Sequence, residues 1–159
     1  MTSVGESDLR TSKRYALAQS LLLIVFAVVV FIAPKDYLFR SAVVSIAGNI
    51  LGGMGALLIL FAAVTLRRVI QVAPEPKAGG ELIQDGVYKY LRHPIYTGIM
   101  SCVIGLFLRT PTIWIGIASF AVIVFLFFKA RLEEKLLLSA YPGYADYRRR
   151  TWGLFPGVR

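Results

Sequence analysis

The chain has 159 residues, 57% of them hydrophobic, and carries a formal net charge of +9 at pH 7. Soluble domains are about 45–50% apolar, so this composition argues against an ordinary soluble protein. It predicts a single membrane domain over residues 1–159, with room for at most about five helical spans. The single cysteine, Cys102, excludes a disulfide within the chain.

Four apolar runs follow one another along the chain. Tyr15–Ala33 and Ser41–Leu66 are uncharged and long enough to cross a bilayer as helices. A signal peptide is the alternative for the first run, but its apolar core is too long and no cleavage site of small residues follows it. Pro94–Leu108 reaches only about 22 Å as a helix. Thr112–Phe128 follows a tight turn at 109–111, so the last two runs are predicted to form a helical hairpin.

The second run contains closely spaced glycines, Gly48-x-x-x-Gly52 followed by Gly53 and Gly55. Small residues at this spacing let two membrane helices approach closely, so the run is predicted to pack tightly against another helix. The glycines do not form the dinucleotide-binding pattern, which also needs a preceding strand. The run therefore lacks the sequence fingerprint of a Rossmann dinucleotide site.

Lysine and arginine decide the predicted orientation, because loops on the cytoplasmic side carry most of these residues. Segment 1–14 carries three, the connection 67–93 five and the tail 129–159 seven, whereas the two opposite connections carry three together. Both termini and the 67–93 connection are predicted to face the cytoplasm. The net positive charge is mostly of this origin, which argues against nucleic acid as a partner. The resulting fold class is an all-α integral membrane protein of about four spans, with a C-terminal helical hairpin and a cytoplasmic amphipathic tail.

The segment 86–96, GVYKYLRHPIY, collects polar and aromatic residues at the start of the third run. Pro94 suits the first turn of a helix, where its missing N–H costs nothing, and His93 would then lie at or near the N-cap. The backbone N–H groups of Ile95, Tyr96 and Thr97 lie at the positive end of the helix dipole. They are predicted to hold an anion such as a carboxylate.

The same segment offers aromatic faces for an adenine ring or a cation, on Tyr88, Tyr90 and Tyr96. The alternative is an interfacial belt, because tyrosine, lysine and arginine collect at membrane surfaces through solvation alone. Composition leaves both interpretations open.

A second cluster, KARLEEK at 129–135, continues directly from the fourth run and is predicted to extend its helix on the cytoplasmic side. Arg131 and Glu134 share a helix face, as do Lys129 and Glu133. One interpretation is a solvated helix with two weak surface pairs. The other is that the adjacent acids meet a positively charged ligand held by the first cluster.

The tail YPGYADYRRRTWGLFPG places Tyr141, Tyr144 and Tyr147 three residues apart, before the arginines 148–150. This pattern predicts an interfacial helix that lies on anionic headgroups with its aromatic side down. A lid over a site is the alternative interpretation.

With these clusters, the chain resembles the isoprenylcysteine carboxyl methyltransferase family and, more broadly, the membrane methyltransferases that include phospholipid N-methyltransferases. The resemblance covers residues 71–156 and includes LIQDGVYKYLRHPIYTG, the hairpin and RLEEKLLLSAYPGYADYRRRT. Its specific part is Gly-x-Tyr-x-x-x-Arg-His-Pro-x-Tyr-x-Gly at 86–98, with the Glu-Glu pair at its expected distance. Residues 1–66 match as two generic spans, and residues 67–159 would form the methyltransferase-like core.

The resemblance implies a methyltransferase that uses S-adenosylmethionine in a non-Rossmann cofactor site, which fits the missing glycine fingerprint. It implies that the enzyme acts on a lipophilic small molecule or a prenylated acceptor at the membrane. It implies no metal. The implied cofactor-binding residues are Gln71, Leu82, Ile83, Tyr88, His93, Pro94, Ile95, Tyr96, Glu133 and Glu134. The implied catalytic residues are Arg131, which would orient the acceptor, and Glu134, and Lys129 is the alternative anchor for the acceptor.

The acceptor itself stays open among a carboxylate, an amine and a thiol. A carboxylate such as that of an isoprenylcysteine is ionised at pH 7 and needs no base, whereas a lipid amine would need His93 or Glu134 to remove a proton. An NADPH-dependent membrane reductase and a non-enzymatic lipid-binding or scaffold protein are the alternatives. Binding of S-adenosylmethionine, of NADPH or of neither separates the three. The short chain favours a prokaryotic plasma membrane.

Overall fold

A computed structural model describes residues 6–72, 82–155 and 157, with side chains described in 14–67 and from 82 onward within these ranges. Five α-helices and one 3-10 helix account for most of them. The α-helices are α1 (Glu6–Ile32), α2 (Ala42–Val72), α3 (Pro94–Arg109), α4 (Ile113–Ala140) and α5 (Tyr144–Arg150), and the 3-10 helix is Gly86–Lys89. The described residues contain no strand, so the predicted all-α class is confirmed.

Within the described residues, three helices are long and apolar enough to cross a membrane: Arg14–Ile32 in α1, Ala42–Arg67 in α2, and α4. The outer faces of α1 and α2 expose large apolar side chains such as Leu21, Phe31 and Ile50. Exposing such faces to water is unfavourable, whereas lipid chains solvate them. The chain is therefore an integral membrane protein. Helix α3 is apolar but shorter, reaching about 24 Å along its axis.

The hairpin of α3 and α4 has the boundaries that its sequence indicates. Pro94 stands at the first position of α3, with His93 as N-cap. Thr110 precedes Pro111 and has left the helical region, as expected because a following proline disfavours helical backbone. The Thr112 hydroxyl accepts a hydrogen bond from the Ile115 N–H at 3.3 Å and so caps α4.

The helices pack in the order α2, α3, α4, α1, since α2 contacts α3, α3 contacts α4, and α4 contacts α1. The buried core lies mainly where α3 meets α4, and Phe26 of α1 joins it. At one end, the Leu38 N–H donates to the Pro111 carbonyl at 2.8 Å, joining the α1–α2 connection to the hairpin turn. The opposite end carries the site.

Helices α2 and α3 approach each other through glycines on both sides. A Cβ atom on Gly105 would lie 2.5 Å from the Gly48 carbonyl oxygen and 2.6 Å from the Gly52 nitrogen. One on Gly55 would lie 2.6 Å from the Gly98 carbonyl oxygen. Of the predicted packing face, Gly48, Gly52 and Gly55 therefore lie against α3, whereas a Cβ atom on Gly53 would meet nothing within 4 Å.

Candidate functional site

The segment before α3 and the C-terminal tail are joined by backbone hydrogen bonds. Leu91 and Trp152 form a two-residue parallel β-bridge, in which the Arg92 N–H donates to Trp152 and the Trp152 N–H donates to Tyr90, both at 2.9 Å. The Thr97 hydroxyl adds a bond to the Leu154 carbonyl at 2.5 Å. The tail is therefore held against the start of α3.

Arg92 lies at the centre of this junction and is only 7% exposed. Its Nε donates to the Glu134 carboxylate at 2.8 Å. Its Nη1 donates to the carbonyl oxygens of Thr151 at 2.6 Å and Arg148 at 2.9 Å. One guanidinium thus connects α4, α5 and the tail, because its planar fork presents several donors in fixed directions.

The Glu134 carboxylate lies among basic groups. Besides Arg92, Arg148 Nε is 3.5 Å from one of its oxygens, and His93 Nε2 is 3.4 Å from the other. Two neighbouring positive charges favour an ionised carboxylate.

His93 is buried at the N-cap of α3, and its ring stacks on Tyr96 with the centroids 5.5 Å apart. Its Nε2 makes no hydrogen bond to any described residue, although Glu134 is near. Its Nδ1 lies 3.8 Å from Glu133 Oε2. Because Nε2 lies near Glu134 without forming a hydrogen bond, it remains available to bond a ligand.

The two adjacent acids lie near different nitrogens of the His93 ring and make different contacts. Whereas Glu134 faces Arg92, Glu133 accepts a hydrogen bond from the Tyr96 hydroxyl at 2.5 Å. Glu133 also lies 3.7 Å from Lys129 Nζ, which sits 5.1 Å from the centroid of the Tyr96 ring.

A cleft of about 340 Å³, here called the polar cleft, opens beside Glu134 and His93. Its basic lining comes from Arg92, Arg131, Lys135 and Arg148, and its apolar lining includes Phe127, Leu138 and Phe155. The Arg131 guanidinium carbon lies 4.3 Å from the centroid of the Phe127 ring, a cation–π arrangement. With four basic residues and one acid, the polar cleft favours an anionic group.

A second cleft of about 200 Å³, here called the tyrosine cleft, lies on another side of Arg92. It is lined by Leu82, Ile83, Tyr88, Arg92, Leu137, Tyr141, Tyr144 and Tyr147. Burial raises the pKa of Tyr88, and the nearby Glu133 charge adds to the increase. Burial also raises the pKa of Tyr147 to about 12, against the opposing effect of Arg92. Both phenols are therefore neutral at pH 7, and the Tyr147 hydroxyl donates to the Tyr88 carbonyl at 2.6 Å.

The sequence profile of the phospholipid methyltransferase family matches residues 43–143. This chain belongs to the phospholipid methyltransferase family. It is 31% identical over 160 residues to protein-S-isoprenylcysteine O-methyltransferase B of Arabidopsis thaliana, an alignment covering 94% of this chain and 77% of that protein. It is 32% identical over 92 residues to protein-S-isoprenylcysteine O-methyltransferase of Dictyostelium discoideum, covering 55% and 38% of the two chains.

A third relative of this chain is the cobalt-zinc-cadmium resistance protein CzcN of Cupriavidus metallidurans, which is 35% identical to it over 77 residues. That alignment covers 47% of this chain and 35% of CzcN, so the chain spans about a third of that relative's length. No solved structure matches the chain significantly. The expected resemblance to membrane methyltransferases is thus confirmed at the level of the family.

In this methyltransferase family member, the implied cofactor-binding residues do not line one pocket. Leu82, Ile83 and Tyr88 line the tyrosine cleft, and His93 and Glu134 line the polar cleft. Tyr96 and Glu133 bond to each other. Pro94 is fully buried and Ile95 half-buried. Gln71 falls in the last turn of α2, and its side chain lies outside the described residues.

Three backbone N–H groups at the start of α3, those of Ile95, Tyr96 and Thr97, were predicted to be free to hold an anion. The prediction is wrong for Thr97. The Thr97 N–H donates to the His93 carbonyl at 3.0 Å, because the carbonyl of an N-cap residue accepts the first intrahelical bond. The N–H groups of Ile95 and Tyr96 remain those without an intrahelical acceptor.

The charged pairs expected on the α4 extension form only in part. Lys129 and Glu133 approach each other as predicted, but Glu134 pairs with Arg92 and Arg148 instead of Arg131. Tertiary contacts with a buried guanidinium override a pair at a helix surface, which is weak in itself. Arg131 lines the polar cleft, whereas Lys129 is turned toward Gln19 of α1.

The tail also differs from the expected interfacial helix. Tyr144 is 1% exposed and Tyr147 is buried. Arg149 and Arg150 are exposed, whereas the partly exposed Arg148 reaches Glu134. The aromatic side of α5 is covered by the protein itself, because the Tyr147 hydroxyl and Arg92 bond α5 to the start of α3.

Sequence reasoning did not assign roles to Arg92, Thr151 and Gln19. Arg92 stands inside the specific string at 86–98. Its charge, directly before a membrane helix, was the signal that could have pointed to a buried role. Thr151 and Gln19 gave no such signal, because their contacts join distant parts of the chain.

Proposed function

We propose that this protein is an S-adenosylmethionine-dependent methyltransferase whose acceptor is a lipophilic carboxylate at the membrane, such as that of an isoprenylcysteine. The carrying observation is the polar cleft, where His93, Glu134 and Arg131 come together at the end of apolar helices. Membership of a methyltransferase family supports this chemistry, and relatives named for isoprenylcysteine methylation support the class of acceptor.

The residues of the two clefts fit the cofactor. His93 Nε2 is a buried polar atom that makes no hydrogen bond to the described residues, and with the N–H groups at the start of α3 it suits the cofactor carboxylate. In the polar cleft, Glu134 supplies negative charge for a cationic ammonium and an acceptor for a ribose hydroxyl. Glu133 lines neither cleft but lies beside His93, 3.8 Å from its Nδ1. The flat aromatic rings of the tyrosine cleft suit a purine.

When bound, the cofactor would supply a methyl group on a positively charged sulfur, ready for in-line displacement. The protein then has to orient the acceptor and exclude water. Arg131 orients the acceptor carboxylate, because a guanidinium binds a carboxylate through two parallel hydrogen bonds. The carboxylate is already ionised at pH 7, so no residue has to remove a proton. The apolar wall of Phe127, Leu138 and Phe155 keeps competing water away.

The site would face the cytoplasm of a plasma membrane, with both termini on that side. The distribution of lysine and arginine supports this orientation. A soluble cofactor then enters from the cytoplasm, while the lipophilic acceptor arrives from the bilayer.

Binding of S-adenosylmethionine to the full chain in detergent, measured by calorimetry, tests the proposal, with NADPH in a parallel titration. Glu134→Gln removes the negative charge at nearly constant shape. It is expected to weaken cofactor binding about tenfold or more, which corresponds to a loss of at least about 1.4 kcal/mol of binding free energy. Asp146→Asn is the matched control, because Asp146 is an exposed acid that pairs with Arg149 away from both clefts.

Saturable binding that Glu134→Gln weakens and Asp146→Asn leaves unchanged supports the proposal. A folded protein that binds neither cofactor contradicts it, and binding of NADPH alone favours a reductase.

A further inference from the structure

Helix α1 directs one polar side chain, Gln19, toward the site. Its Oε1 accepts a hydrogen bond from Lys129 Nζ at 2.5 Å, across 110 positions of the chain. The neighbouring Ser20 is exposed and bonds the Ala16 carbonyl of its own helix. A polar group inside an apolar span is costly and marks a functional contact, so the partner of Gln19 needs an explanation.

Lys129 is held away from solvent, since its side chain is only 12% exposed. An ammonium withdrawn from water needs polar partners. The Gln19 amide oxygen supplies a short contact, the Tyr96 ring lies at 5.1 Å, and the Glu133 carboxylate stays at 3.7 Å. Lys129 is thus drawn toward α1 and does not form a tight pair with Glu133.

Glu133 connects this lysine to the proposed cofactor site. Its Oε1 accepts the hydrogen bond of the Tyr96 hydroxyl, and its Oε2 lies 3.8 Å from His93 Nδ1. A continuous series of contacts therefore runs from Gln19 through Lys129 and Glu133 to His93.

We propose that Gln19 and Lys129 are positioning residues for the cofactor site. Gln19 holds the Lys129 ammonium off Glu133, so the carboxylate stays available to Tyr96 and to a cationic ligand. Without the amide oxygen, Lys129 closes the 3.7 Å gap and neutralises Glu133. Helix α1, which lies outside the residues that the family profile matches, would then be part of the binding machinery. This inference rests on the proposed function.

Gln19→Leu tests the inference on the full chain in detergent. Because the variant removes a hydrogen bond to a charged group, the affinity for S-adenosylmethionine is expected to fall about tenfold. Ser20→Leu is the matched control, one position away on the same helix, and is expected to bind as the unaltered protein does. Gln19→Glu keeps an acceptor for Lys129 and is expected to restore binding. Elution profiles and melting temperatures show whether each variant is folded.

A double-mutant cycle separates positioning from general damage to packing. If Lys129 transmits the effect, Gln19→Leu has no further effect on affinity once Lys129→Met has removed the ammonium. An equal loss in both backgrounds, or no loss in the Gln19→Leu protein, overturns the inference. If the unaltered protein does not bind the cofactor, the proposed function fails; if it binds and Gln19→Leu binds equally well, only this inference fails.

Discussion

Replacing Gly105 by alanine is expected to destabilise the packing of α3 against α2. The new methyl carbon would lie 2.5 Å from the Gly48 carbonyl oxygen and 2.6 Å from the Gly52 nitrogen, where ordinary contact begins near 3.4 Å. Both neighbours are backbone atoms, which cannot rotate away, so the helices must separate by about 1 Å. Overpacking of this kind costs about 1–3 kcal/mol.

Alanine also favours a helix over glycine by about 1 kcal/mol, which offsets part of that cost at Gly105. At Gly53, a Cβ atom would meet nothing within 4 Å, so Gly53→Ala keeps the gain and avoids the clash. The two substitutions are identical in chemistry and both lie within helices, yet Gly105→Ala is expected to lower stability and Gly53→Ala to leave it unchanged or raise it.

The assay is thermal unfolding of both variants in the same detergent. For a chain of this size, 1 kcal/mol corresponds to about 2–4 °C in the melting temperature. The melting temperature of Gly105→Ala is expected to fall by up to several degrees, while that of Gly53→Ala stays level or rises. Equal shifts of the same sign in both proteins would refute the close packing of α2 on α3.

Two further predictions concern the site. Arg131→Gln is expected to raise KM for the acceptor about tenfold through loss of a charge-assisted contact and to leave cofactor affinity unchanged, with Arg149→Gln as the exposed control; a fall in cofactor affinity instead would contradict the role given to Arg131. The folded-state pKa of Tyr147, about 12, is above that of an unfolded tyrosine, about 10, so the stability it contributes is complete below pH 10 and is lost as the pH rises toward 12. Tyr147→Phe is expected to flatten the decline in melting temperature over that range; a decline as steep as in the unaltered protein would contradict this.

Local sequence determined the helices because the relevant physics is local. Uncharged apolar runs of membrane length, a proline at a helix start and a cap residue such as Thr112 each act within a few residues, so the helix boundaries and the place of His93 were predictable. The glycine spacing likewise predicted a close contact on α2. Its partner was not predictable, because contacts such as that of Gly48 with Gly105 depend on how separate helices meet.

Tertiary structure alone decided which groups meet at the site. An aromatic stripe such as that of Tyr144 and Tyr147 is equally suited to lipid headgroups and to protein, and the bonds from Arg92 and Tyr147 fold it onto α3. Adjacent acids likewise look alike in sequence, yet Glu134 faces Arg92 while Glu133 faces Tyr96 and Lys129. Local pattern determines which residues share a helix face, whereas the partners of that face depend on long-range packing, as the contact between Gln19 and Lys129 illustrates.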